Sequence, residues 1–123
     1  MRRMYISSLY RLAELDERRG GELGRVYVLD WDTKKLLNNP YGLETGPTLN
    51  HPRGQSHGAR GITVCGGFLY VASSNDKISK FDPDSMELVN VIRYPEFEGL
   101  HQIKSHKGKI YVASTANDKR FVI

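Results

Sequence analysis

Cysteine is almost missing from this chain: Cys65 stands alone among 123 residues. That excludes an internal disulfide and any metal site built from clustered thiolates. Long apolar runs are missing too. No stretch approaches the roughly 18 apolar residues of a spanning helix. Met1-Arg2-Arg3-Met4 leads into Tyr5-Ile6-Ser7-Ser8 without the apolar run of a signal peptide. A cytoplasmic protein that meets no membrane is the expectation. An excess of one charge is absent from most of the chain, because the formal +4 arises in the last 23 residues, where Lys104, Lys107, Lys109, Lys119 and Arg120 face only Asp118. Alternate residues of a strand point to opposite faces, so these side chains need not form one patch. No nucleic-acid-binding motif accompanies them, and nucleic acid is not expected as a partner. Hydrophobic residues at 39% and charged residues at 26% describe a folded globular chain rather than a disordered one.

What is present is a phrase said twice. Leu69-Tyr70-Val71-Ala72-Ser73 returns 41 residues later as Ile110-Tyr111-Val112-Ala113-Ser114. The same offset pairs Gly67 with Gly108 and Ile62 with Ile103, and one extra residue brings Asn75-Asp76-Lys77 onto Asn117-Asp118-Lys119. Internal repeats decide architecture first, and this period matches one four-stranded propeller blade of about 40 to 45 residues. An earlier copy is looser. Val26 to Leu37 matches Ile78 to Val89 as strand, Asp-x-Asp-Ser/Thr turn and strand, and Met4 to Ser8 echoes Leu69 to Ser73. In each turn the first Asp can hydrogen-bond its own backbone two residues on. The pairs Gly66-Gly67 and Lys107-Gly108 fall where a tight hairpin needs positive φ. A competing reading of residues 8–19 is a helix capped by Ser8, with Leu9, Leu12 and Leu15 apolar and Gly20 as terminator. The expected fold is all-β: three four-stranded antiparallel blades at about 4–45, 61–94 and 101–123, the last incomplete.

The strings Leu69 to Asn75, Ile78 to Asp82 and Leu88 to Ile92 resemble YVTN-type or NHL-type propeller repeats, which are related to lactonase-like and amidating-lyase-like propellers. Such repeats serve many unrelated activities. Closed propellers use roughly 4 to 8 blades, and three leave two radial faces bare. The expectation is a homo-oligomer, a two-fold dimer being simplest, or a piece of a larger protein assembly.

Antiparallel order puts the long insertions, residues 12–24 and 38–60, on one face, the default site for a partner. On the same face the resemblance suggests His101 and His57 as metal ligands, zinc or calcium, and Arg60 as a holder of anions or carbonyls. Arg53 lies in the same Gly/Pro-rich loop as His51 and His57. One chain offers one or two ligands where a catalytic zinc wants three, and Arg60 and His101 also read as hydrated polar plugs. Asp30/Asp32 and Asp82/Asp84 read as turn residues rather than a calcium loop. Ser56 beside His57 lacks an acid and an oxyanion hole, and Cys65 reads as an inert core thiol. Two functions follow. One is a non-enzymatic, cofactor-free binding module that self-associates or docks in an assembly. The other is a metal-dependent lyase or lactonase-like enzyme working through His101, Arg60 and His57. Shortness and the incomplete ligand set favour the module.

Overall fold

A computed structural model describes residues 2–11, 22–38, 41–44, 56–73, 77–115 and 117–123. Among them every element is a strand: β1 (Arg3–Arg11), β2 (Glu22–Asp30), β3 (Lys35–Leu36), β4 (Tyr41–Glu44), β5 (Ser56–Cys65), β6 (Phe68–Ser73), β7 (Lys77–Phe81), β8 (Leu88–Arg93), β9 (Leu100–His106), β10 (Lys109–Ser114) and β11 (Lys119–Val122). All pairings are antiparallel. Sheet 1 comprises β1 to β4, sheet 2 β5 to β8, and sheet 3 β9 to β11. Sheets 1 and 2 are joined through β5, whose residues 56–58 pair with β1 and whose residues 59–65 pair with β6. Among the described residues no sheet order closes on itself.

The helix beginning at Ser8 does not form over its first turn. Ser8 to Arg11 continue β1, with Ser8 opposite Arg25 and Leu9 opposite both Gly24 and Gly58. Pairing on both sides supplies this segment with the backbone partners a helix would otherwise provide. Residues 12–19 of that reading lie outside the described residues.

Local chemistry sets the turns. Gly66, Gly67, Lys107 and Gly108 all have positive φ, as a two-residue hairpin of matching twist requires. The Asp turns are built alike: Asp30 Oδ1 accepts from the Asp32 N–H at 2.9 Å, and Asp82 Oδ1 from the Asp84 and Ser85 N–H groups at 2.9 and 3.0 Å. Each closes by a backbone bond to the fifth residue, Lys34 or Met86, and both of these adopt positive φ. The N–H groups of Ser85 and then Asp84 hold the Asp82 carboxyl below its ordinary value of 3.8. A carboxyl depressed on folding contributes stability that is fully present above that value and is lost as pH falls through the lower folded one. In urea titrations the stability advantage of wild type over Asp82→Asn should therefore shrink between about pH 5 and pH 2. An advantage constant across that range would remove the charge from the turn's contribution.

The two cores lie between sheets, and the middle sheet is covered on both sides. Leu69, Val71 and Phe81 face sheet 1 and join Val26, Val28 and Met86, with Tyr5 and Ile62 packed alongside. Ala72 and Ile78 point the other way and join Phe97, Leu100, Ile103, Ile110 and Val112. Successive residues of β6 thus serve opposite cores, which is why its apolar run is continuous rather than alternating. At one edge of sheet 1 a side chain completes the ladder. Asn38 Oδ1 accepts the Val28 N–H at 2.8 Å, and its Nδ2 donates to the Val26 carbonyl at 3.2 Å, so the amide stands in for a strand residue. Without it, polar backbone beside two core valines would lose its partners, at about 1–3 kcal/mol per buried group.

Candidate functional site

The repeat recurs in the hydrogen-bond register. In β5 the pairing with β6 jumps from Ala59 opposite Ser73 to Ile62 opposite Val71; in β9 it jumps from Leu100 opposite Ser114 to Ile103 opposite Val112. Arg60-Gly61 and His101-Gln102 therefore occupy the same bulge in successive sheets, and Arg60 and His101 are structural equivalents. The bulges abut. A Cβ placed on Gly61 would lie 2.7 Å from the Ile103 nitrogen, 2.8 Å from the His101 carbonyl oxygen and 2.9 Å from the Gln102 Cα. Gly61 is what lets β9 approach β5 so closely. Side chains fasten the crossing: the Ser105 N–H donates to Thr63 Oγ1 at 3.0 Å, and Ser105 Oγ donates to the Val64 carbonyl at 2.8 Å.

The residues expected to form a channel-mouth site meet different fates. Arg60 lies well inside β5 rather than in a loop, because that strand starts at Ser56. It is half-buried, burial lowers its pKa, and its carbonyl accepts from Ser7 Oγ at 2.6 Å. His101 is exposed. The backbone of His57 belongs to β5, opposite Tyr10, not to the Gly/Pro-rich loop in which it was expected; extension of β1 to Arg11 supplies the partner that makes it strand. Arg53 and His51 lie outside the described residues, as do residues 12–21, 39, 40 and 45–55 of the two insertions. Residues 22–24 of the first insertion are already part of β2. Among the described residues no group of three or more His, Cys, Asp or Glu side chains is placed to hold a metal ion. Asp32 and Asp84 are engaged by Arg2 and Arg3, each at 2.5 Å. Cys65 is half-buried against the core shared by sheets 2 and 3.

Two sheet faces stand out instead. On sheet 1, Met4 is opposite Leu29 and Ile6 opposite Tyr27, while Leu29 is also opposite Leu36. Cross-strand partners share a face, and this face points away from sheet 2, because Tyr5, Val26 and Val28 point into the core. Met4, Ile6 and Leu36 are 36%, 41% and 50% exposed. Register matches Met4, Ile6 and Leu29 to Leu69, Val71 and Phe81, all 0% exposed, whereas Leu36 matches Leu88, itself 46% exposed.

On sheet 3 the outward face carries Gln102, Lys104 and His106 from β9, Lys109, Tyr111 and Ala113 from β10, and Arg120 and Val122 from β11. The corresponding outward residues of sheet 2 are Gly61, Thr63, Cys65, Phe68, Tyr70, Ala72, Ile78 and Lys80. Gly61, Thr63, Cys65, Phe68 and Ile78 are replaced by polar or basic Gln102, Lys104, His106, Lys109 and Arg120, while Tyr and Ala are kept at two positions and Lys80 becomes Val122. The decisive change is Gln102 where Gly61 stands, since any side chain there obstructs an equally close strand. These departures from the 41-residue repeat were readable from the sequence, and their gathering on one face needed the register. No protein-family model matches the chain, and no curated protein is significantly similar to it.

Proposed function

We propose that the chain is a non-enzymatic assembly module: three consecutive propeller-type blades that associate through the uncovered face of the first, a second copy of the chain being the simplest partner. The observation that carries this reading is the exposure of Met4 and Ile6, with half-buried Leu29 beside them, at positions whose repeat equivalents are fully buried. Apolar surface left in water forgoes about 25 cal/mol per Å², and contiguous apolar faces on folded domains mark contact sites. Association of like with like suits a two-fold dimer, in which the same apolar face is contributed twice. Closing a ring by laying sheet 3 of one copy on sheet 1 of the next is disfavoured, because Gln102 and Arg120 occupy positions where sheet 2 offers Gly61 and Ile78. The insertion residues 12–24 and 38–60 remain the proposed surface for other partners of the assembly. The metal-dependent lyase or lactonase-like reading rests on one observation, the equivalence of Arg60 and His101 at matching bulges.

Light scattering on the eluting protein tests the module. A dimer is expected at micromolar concentration, and Ile6→Asp should weaken it at least tenfold, since one buried apolar side chain contributes about 1.5–3 kcal/mol, while the far-ultraviolet dichroism stays unchanged. A wild-type protein that remains monomeric at high micromolar concentration would refute the association.

A further inference from the structure

The outward face of sheet 3 is too polar to receive another sheet, and its composition points to a different ligand. Tyr111 sits on the middle strand and is 44% exposed. Its cross-strand neighbours are Lys104 on β9 and Val122 on β11. One step along, His106 is opposite Lys109, and the His106 and Tyr111 rings lie 6.5 Å apart between centroids. One step the other way, Arg120 is opposite Ala113. Between them runs a groove of about 230 Å³, lined by Gln102, Lys104, Tyr111, Ala113 and Arg120 and by parts of the core-facing Ile103, Val112 and Phe121. Within this lining Ala113 is opposite Arg120 and lies two residues along β10 from Tyr111. By register none of the described residues on this face is acidic. The one acid of the basic C-terminal stretch, Asp118, lies in the β10–β11 connection, and Lys119 is drawn to the opposite side by Glu96 at 2.6 Å.

Comparison with sheet 2 shows what is special. There Lys80 lies over the rings of Phe68 and Tyr70, 4.0 and 5.7 Å from their centroids. In sheet 3 the equivalents of Lys80 and Phe68 are Val122 and Lys109, so the Tyr111 ring lacks that covering cation. The cations stand beside the ring instead, where they can reach charge on a ligand stacked upon it.

We propose that this face binds single-stranded nucleic acid, a base stacking on Tyr111 above Ala113 while Lys104, Lys109 and Arg120 neutralise the flanking phosphates. Charge complementarity selects a polyanion, and the exposed ring on a central strand selects one with stackable faces, the combination by which sheet surfaces hold single strands. Gln102, with both a donor and an acceptor, is placed to meet a base edge. A duplex keeps its bases in the stack and leaves Tyr111 unused. An acidic peptide would use the cations and leave the ring unused. Alternation along strands could have scattered the basic residues, but the register puts three of them on the same side.

Fluorescence anisotropy with a labelled oligouridine tests the proposal, with duplex DNA of equal length and polyglutamate as competitors. Binding at low salt is expected, with the unlabelled oligouridine competing at least tenfold better than either competitor. Tyr111→Ala should weaken binding about tenfold or more, and Tyr111→Phe should retain it, since stacking on an aromatic ring is worth that much per base. Lys104→Gln and Arg120→Gln should each lower the slope of log affinity against log salt by about 0.7. All four substitutions are at exposed positions, and unchanged circular dichroism verifies folding. Absence of binding, equal competition by polyglutamate or duplex, or indifference to Tyr111→Ala would each overturn the proposal. Repeating the titration with Ile6→Asp separates it from self-association: the affinity should not change when the dimer is lost.

Discussion

Phe81→Ala is expected to remove about 3–5 kcal/mol, a large share of the protein's stability. Phe81 is fully buried, and its ring fills the core between sheets 1 and 2 beside Leu69, Val71, Val26 and Val28. Truncating a buried Phe costs about 3–5 kcal/mol, the lost transfer energy plus that of the cavity left behind. Domains have only about 5–15 kcal/mol in hand. The strands lining this core are held by pairing within their own sheets and cannot readily collapse into the gap, which places the cost near the top of the range. Urea unfolding followed by far-ultraviolet dichroism gives the number. A loss below about 1 kcal/mol would mean that the two sheets do not depend on this core.

Gly61→Ala adds a single methyl group and is expected to part sheets 2 and 3. The new Cβ would meet three backbone atoms of β9 at 2.7–2.9 Å, and backbone cannot swing aside as a long side chain can. Overpacking of this kind costs about 1–3 kcal/mol and occasionally more. The loss should be local. Amides of β9, β10 and β11 should exchange faster, and the edge-to-face cluster of Tyr94, Phe97 and Phe121, with centroids 5.1–5.8 Å apart, should lose its near-ultraviolet signal, while β1 and β2 keep their protection. Gly66→Ala is the control. Its Cβ would meet nothing within 4 Å, so only the strain of φ +57 remains, about 1–2 kcal/mol. If both variants lose the same stability and the same amides, close approach at Gly61 is not what holds sheet 3.

Much of this arrangement was legible because it is local. Positive φ at Gly66-Gly67 and Lys107-Gly108 and the Asp turns at 30 and 82 are decided within a few residues, so turn chemistry read from sequence reached them directly. The equivalence of Arg60 and His101 followed from the 41-residue offset alone. Other features needed distant partners. Strand character at Tyr10 and Arg11 depends on β5, nearly fifty residues away, and local spacing of Leu9, Leu12 and Leu15 suggested a helix instead. Asn38 completes the edge of β2 between its pairings with β3 and with β4, a role that no motif marks. Gly61 is only the first residue of the expected second blade until β9 is seen against it. The basic C-terminal stretch was visible as composition, but only the pairing of β9, β10 and β11 decides which cations share a face with Tyr111.

The shared strand β5 has a consequence for how the molecule comes apart. Because its residues 56–58 belong to the ladder of sheet 1 and residues 59–65 to that of sheet 2, one unbroken backbone hydrogen-bond network runs from β3 to β8. Opening either sheet strains the other, so the two behave as a single cooperative unit. Among the described residues sheet 3 is not paired with that network; it is held by apolar burial and by Thr63 and Ser105. Thermal fluctuation that exposes the interior is therefore expected to begin by lifting sheet 3 away. Protease sensitivity and the earliest aggregation-prone species should originate there, and a ligand that clamps sheet 3 from outside would raise the stability of its own sheet before that of the other two.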